Sequence, residues 1–252
     1  MKHNQNVFED KTIGKYYSDF NDLFLSEIRL FNEIRQHYEN KIIVDIGIGG
    51  GRTTEFLLQF ASKYIGIDYS ETMIKEAKVK FPDADLRYGD ARNMSDIKGN
   101  SADFVLFSYN GIDCMSSNER IFILKECYRI LKKDGVFAFS THNLHFKYFD
   151  KLPWQKPIKF EWLYIKHCLK VLLYLPHIIK LKKHNKYFEN YAIVLNDAHF
   201  YSLYLYTISP EFQIQQLNDI GFTNVSIIDK KGELVNYSNT IENDYLYYYC
   251  YK

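Results

Sequence analysis

Apolar runs and polar breaks alternate along this chain in a way that reads as strands and helices in turn. Ile42-Ile43-Val44-Asp45-Ile46 is short, apolar and β-branched, the pattern of a strand buried on both faces. Gly47, Gly49 and Gly51 follow, and Phe56, Leu57, Leu58 and Phe60 predict a helix behind them. Tyr64 to Asp68 predicts a second strand ending in an acid, with Ser70 capping a helix through Met73, Ile74 and Ala77. Leu86 to Ala91 predicts a third strand and Asp103 to Ser108 a fourth. Ser116-x-x-Glu119 is a capping box that opens a helix reaching Leu131. Lys132 to Gly135 ends that helix, and Val136 to Ser140 predicts a fifth strand. Ser209-Pro210-Glu211 starts another helix, Gly221 ends it, and strands follow over 223–228 and 245–251. Before the first strand, Ile28, Phe31, Ile34 and Arg35 recur at helical spacing.

The glycine turn narrows the ligand. Strand, glycine turn and helix bring backbone N–H groups close to a bound molecule. A dinucleotide fingerprint needs a third glycine three places after the second, but Gly47, Gly49 and Gly51 alternate and Thr54 stands three after Gly51. No phosphate-cradling G-x-x-x-x-G-K-[ST] is present either. A nucleoside without a pyrophosphate fits better than a nicotinamide dinucleotide. Asp68, 17 residues after Gly51, is placed to accept from both ribose hydroxyls.

From about residue 40 to 142 the chain resembles the class I S-adenosylmethionine-dependent methyltransferases, in their small-molecule branch. The resemblance rests on Val44 to Gly51, Gly66 to Ser70 with Met73 and Ala77, Gly89-Asp90-Ala91, Asp103 to Val105 and Glu126 to Gly135. It implies an α/β, doubly wound, Rossmann-like seven-stranded sheet with helices on both faces and an antiparallel last strand beside the fifth. It also implies a cofactor, S-adenosylmethionine, held by Tyr16, Asp45, Gly47, Gly49, Gly51, Asp68, Tyr69, Met73, Asp90, Ala91, Ser108 and Tyr109. Tyr16 and Tyr17 match an aromatic pair that closes over the cofactor in small-molecule members, with Tyr17 on the substrate side. The expected organisation is helical cover over 1–40, a cofactor core over 41–149, an insertion and substrate lid over 150–207, and completion of the sheet over 208–252.

Composition agrees with a globular enzyme: 46 % of the 252 residues are hydrophobic and the net charge is +1. Cys114, Cys127, Cys168 and Cys250 are too scattered for a disulfide framework or a cysteine zinc site. With no apolar leader in the first residues, the cytoplasm is the expected location. Aromatic residues are dense, with 22 Tyr and 19 Phe, which suits strands and core. Charge is uneven. Residues 151–186 hold nine lysines and one acid, Glu161, interleaved with Trp154, Trp162 and many aliphatics. The insertion should begin as helix, break or kink at Pro176, and become extended at Tyr201 to Tyr206. Three roles stay open for its basic stretch: a lid with solvated lysines, a face for an anionic acceptor, or a membrane-surface helix.

Methyl transfer from an activated sulfonium needs alignment, exclusion of water and, for a hydroxyl acceptor, a base. The candidates are His142 past strand five, Asp113 after strand four, and His199 in the insertion. Asn110, Asp113, Asn143 and Tyr17 are the expected substrate contacts. Metal-ligand spacing is absent, so no metal is expected. The loop Ser108-Tyr109-Asn110-Gly111 lacks the prolines of nucleobase amino-methyltransferases, so nucleic acid ranks low. The expected acceptor is a polar small molecule, with a sugar or nucleotide-linked sugar of bacterial surface glycans as the leading class. The alternatives are a non-catalytic cofactor-binding or membrane-associated module and a nucleic-acid methyltransferase. The oligomeric state is not legible.

Overall fold

The computed structural model describes residues 4, 7–19, 22–157, 161–197 and 200–252, with the side chains at 11, 14, 16 and 18 outside that description. The strands are β1 (Ile42–Ile46), β2 (Lys63–Asp68), β3 (Leu86–Tyr88), β4 (Ala102–Phe107), β5 (Leu131–Asn143), β6 (Lys186–Tyr187), β7 (Tyr191–Asn196), β8 (Leu203–Ile208), β9 (Thr223–Ile228), β10 (Leu234–Val235) and β11 (Tyr245–Tyr251). The helices are α1 (Lys11–Asp19), α2 (Leu25–Glu33), α3 (Arg35–Tyr38), α4 (Arg52–Leu57), α5 (Glu71–Lys80), α6 (Ser117–Ile130), α7 (Trp162–Leu173), α8 (Leu175–Lys182) and α9 (Pro210–Ile220).

The main sheet runs β10-β9-β11-β5-β4-β1-β2-β3. The five strands β1 to β5 pair in parallel. β11 is antiparallel to both β5 and β9, as expected of the last strand. Side chains alternate across the central strands and so build two cores. Val105, Phe107, Phe137 and Phe139 pack under α6 and α9 with Ile123, Cys127 and Leu217. Phe104, Leu106, Val136 and Ala138 pack under α2, α4 and α5 with Phe31, Leu57 and Ile74. Both faces are covered, which is the doubly wound arrangement.

The sheet holds eleven strands rather than seven. Part of the excess is the short β10. The rest comes from the insertion, where β6, β7 and β8 form an antiparallel set. β8 then joins β5 in parallel through His142–Thr207 and Asn143–Ile208. That partner, with β11 on the other side, extends β5 past Ser140 to Asn143. The turn expected at Lys132 to Gly135 survives as a bulge: Leu131 pairs with Ala102, Val136 with Phe104, and Asp134 sits at φ 63°. In the insertion, α7 and α8 meet at Pro176, which occupies the first turn of α8 where its missing N–H costs nothing. The four cysteines are unbridged.

One buried ion pair joins the cover helix to the sheet. Arg52, first in α4, grips Glu27 of α2 with both terminal nitrogens, at 2.5 and 2.7 Å. Ser108 Oγ at the end of β4 and Tyr247 OH of β11 also donate to Glu27 Oε1. Burial works against the Glu27 charge, but Arg52, Ser108 and the Phe24 N–H outweigh it and hold the carboxyl below its usual range. Removing one partner of such a pair costs about 3–5 kcal/mol because the other charge is left uncompensated. Glu27→Gln should therefore lower the melting temperature by on the order of 10 °C. Thermal unfolding of Glu27→Gln, Arg52→Met and the double variant will show a double variant less destabilised than the two single effects added; simple additivity would reject the coupling.

Candidate active site

The carboxyl ends of β1, β2, β4 and β5 open into a cavity of about 320 Å³. Gly47 and Gly49 turn the chain out of β1 at φ 64° and 55°. A side chain on Gly49 would meet nothing within 4 Å, so it would project into the cavity itself. The Gly49 N–H donates to Asp68 Oδ2 at 2.9 Å, and the Ser70 N–H donates to Asp68 Oδ1 at 2.9 Å. Asp68 is 5 % exposed and lines the cavity. Burial pushes its carboxyl up to about 6, against those backbone donors. A carboxylate so placed still has lone pairs for two ligand hydroxyls.

The rest of the wall follows in order. Tyr69 and Met73 come from the start of α5, and Asp90 and Ala91 from the turn after β3. Asp90 stays below the usual range, since Arg92 outweighs its partial burial. Ser108, Tyr109, Asn110 and Gly111 form the loop after β4. Tyr109 and Asn110 both lie in the left-handed region, at φ 53° and 57°, which is costly for a bulky residue. The Tyr109 ring is held there by stacking on Phe24 at 5.3 Å and by the Arg52 guanidinium 5.4 Å from its centroid. Phe8 and Tyr17 close one side. Asn4 ties that N-terminal segment to β8 through the Tyr204 carbonyl at 2.7 Å.

His142 lines the cavity from the end of β5. Its Nδ1 lies 2.7 Å from Asp113 Oδ2, and its backbone N–H donates to the same oxygen at 2.7 Å. Asp113, in the helical turn Gly111–Cys114, is fully buried. Its other oxygen accepts from Arg120 Nη1 at 2.6 Å and Thr141 Oγ at 2.5 Å. Arg120 in turn donates to Gln213 at 2.7 Å and lies 4.4 Å from the Tyr206 ring centroid. In the Nδ1–H tautomer of the neutral ring, Nδ1 donates to Asp113 and Nε2 has a lone pair.

Several residues expected at the ligand stand behind it instead. Asp113 does not line the cavity; it grips the back of His142. Asp45 is buried within β1, where its Oδ2 accepts from Thr53 Oγ at 2.7 Å and Tyr64 OH at 2.8 Å, fastening α4 to β1 and β2. Gly51 faces the Phe81 ring rather than the cavity. Asn143 Nδ2 donates to the carbonyls of Thr240 and Asn243, at 2.9 and 3.0 Å, so its side chain holds the approach to β11. His199 and the Tyr16 side chain lie outside the described residues. Not foreseen were Arg52, Thr53, Phe107, Cys114, Met115, Leu203, Leu205 and Tyr245 in the wall. Leu203 and Leu205 had a signal, the alternation across 201–206, while Arg52 and Tyr245 had none that marked them as site residues. Among the described residues no group of His, Cys, Asp or Glu side chains is placed to hold a metal.

A glycine turn, a buried acid after the second strand, and a parallel sheet closed by one antiparallel strand make a Rossmann-like α/β fold. The methyltransferase-domain family matches residues 44–139. A probable S-adenosylmethionine-dependent methyltransferase of Mycolicibacterium smegmatis is 24 % identical over 114 residues, 45 % of this chain and 43 % of that protein. A ubiquinone biosynthesis O-methyltransferase of Coxiella burnetii is 28 % identical over 134 residues, 49 % of this chain and 56 % of that one. This chain thus spans about half the length of these curated relatives. A solved methyltransferase of Thermotoga maritima, described as a possible histamine N-methyltransferase, shares the fold with a TM-score of 0.58 at 19 % identity, covering 98 % of this chain and 99 % of its own. Residues 44–139 thus match a methyltransferase domain, and the fold is that of solved S-adenosylmethionine-dependent methyltransferases. The cavity walls fit that cofactor, with Asp68 free to accept from hydroxyls and Gly49 leaving the space open.

Two outcomes follow. Gly49→Val should weaken S-adenosylhomocysteine binding at least about tenfold, since it fills the cavity and strains the left-handed backbone by roughly 1–2 kcal/mol; unchanged affinity by calorimetry would place the cofactor elsewhere. Burial raises the Asp45 carboxyl to about 7, against the hydrogen bonds from Thr53 and Tyr64. Its contribution to stability is therefore complete below about pH 4 and lost as pH rises through about 7. Asp45→Asn should melt at least about 2–4 °C above the wild type near pH 8, with the difference gone near pH 4. A variant less stable at both pH values contradicts this.

Proposed function

We propose that this protein transfers a methyl group from S-adenosylmethionine to a hydroxyl or amine of an uncharged, polar small molecule, with His142 as the general base. The observation that carries it is the Nδ1 contact between cavity-lining His142 and buried Asp113. When bound, the cofactor supplies a methyl group on a positively charged sulfur. Asp68 and the Gly47–Gly49 turn bind and orient it. With the cofactor bound, His142 Nε2 would accept the proton that the acceptor's hydroxyl or amine gives up on methylation. Asp113 fixes the imidazole ring and offsets the charge it gains. Arg120 and Thr141 keep Asp113 in position from behind.

The wall chemistry supports an uncharged acceptor. Tyr17, Tyr109, Asn110, Met115, Leu203 and Leu205 are neutral, and among the described residues no lysine of 151–186 lines the cavity. Among the described residues Arg52 is the cation in the wall, and Glu27 already neutralises it. This argues against the phosphorylated or nucleotide-linked sugars suggested by the basic stretch. A neutral sugar or a phenol meets the same walls without an uncompensated charge.

His142→Ala should cut turnover about 10²–10⁴-fold while leaving S-adenosylhomocysteine affinity within about twofold. The assay is release of S-adenosylhomocysteine against a library of neutral sugars, phenols, amines and their phosphorylated counterparts. Unchanged turnover at saturating cofactor removes His142 as the base, and a preference for phosphorylated acceptors rejects the uncharged class.

A further inference from the structure

The outer surface of the insertion is apolar where a solvated helix is polar. α7 buries one residue, Val171, which packs with Ile178, Leu195 and Tyr201. On its opposite side Trp162, Ile165, Leu169, Leu172 and Leu173 form one stripe at helical spacing. Trp162 is 65 % exposed and Leu173 80 %. Lys166 and Lys170 border the stripe, with Lys166 Nζ 5.2 Å from the Trp162 ring centroid. Ile179 and Lys180 carry the same mixture onto α8. A dense exposed apolar stripe marks a contact surface rather than ordinary solvated helix.

Charge selects the occupant. Residues 151–186 carry nine lysines against one acid, so a second copy would set two strongly positive segments together. An anionic surface complements the lysines and accepts the apolar stripe at once. At twelve residues α7 is about 18 Å long, well short of a span. Among the described residues no helix is long and apolar enough to cross a membrane. We propose that the outward face of α7, with its bordering lysines, lies in the plane of an anionic bilayer surface. The apolar stripe enters the boundary between headgroups and acyl chains, and the lysines meet lipid phosphates. The docking face is separate from the cavity wall, because no residue of the stripe lines the cavity. It therefore stands or falls apart from the methyl-transfer reading.

The test is flotation of the full chain with phosphatidylcholine vesicles, with and without about 30 % phosphatidylglycerol, where each lysine near the surface is worth roughly fivefold in partitioning. Flotation with the anionic vesicles alone, weakened by salt, is expected. Tryptophan emission in a Trp154→Phe background should shift to the blue as Trp162 leaves water. Trp162→Ser with Leu173→Ser should cut partitioning at least about tenfold, as should Lys166→Glu with Lys170→Glu. Trp162 and Leu173 are exposed, so melting temperature and S-adenosylhomocysteine affinity of their double variant should be unchanged, whereas Lys170→Glu also gives up the contact of its ammonium with the Phe200 ring at 3.9 Å. The proposal is overturned by absent flotation, by equal binding to neutral vesicles, or by a wild-type dimer in light scattering that Trp162→Ser with Leu173→Ser dissociates while vesicles bind nothing.

Discussion

The bidentate contact between Arg52 and Glu27 is the constraint on which the ligand cavity depends. Both groups are buried, so neither can be left alone without exposing an uncompensated charge to a low dielectric. Glu27 belongs to the cover helix, Arg52 to the helix behind the glycine turn, Ser108 to the strand exit and Tyr247 to the last strand. Four segments distant in sequence are thereby set at fixed spacing beneath one floor. Such a pair adds little net stability over apolar packing of the same volume. Its effect is to allow one arrangement of the parts, and Tyr109 is pinned in its strained conformation by the same guanidinium.

Of the buried carboxylates around the cavity, Glu27, Asp113 and Asp68 differ in one respect. Glu27 faces Arg52, and Asp113 faces Arg120. Asp68 has backbone N–H donors and, among the described residues, no cation. The paired acids are spent on the protein: one builds the floor, the other grips His142. The unpaired acid retains capacity for a ligand, which is why burial can lift it to about 6. Among these three, charge compensation separates supports from a binding group, whereas Asp45 is a support held by the hydroxyls of Thr53 and Tyr64 instead of a cation.

Much of this was legible in the sequence wherever the signal is local. The strand, glycine turn and acid at 42–68 appear where the apolar run and the glycine spacing put them. The capping box at Ser116 and Glu119 forms, with the Ser116 N–H on Glu119 at 2.8 Å, and Pro176 separates two helices. What was not legible is long-range pairing. Nothing near Glu27 or Arg52 announces a partner 25 residues away. The residues of β7 carry an apolar run that a helix or a strand could use equally, and pairing with β8 decides it. His142 and Asp113, weighed as rival bases, are hydrogen-bonded to each other, because β5 extends past its local apolar run once β8 lies beside it.

The last strand fills an interior slot. β11 lies between β5 and β9, yet its residues are joined to the growing chain after both neighbours have been made. Until 245–251 leave the ribosome, the edge of β5 is unsealed and Glu27 lacks the Tyr247 hydroxyl. The sheet therefore cannot be finished by adding strands outward in the order of synthesis. A nascent chain of this protein must carry an open, apolar edge until 245–251 emerge, and in that interval pairing with another chain competes directly with closure.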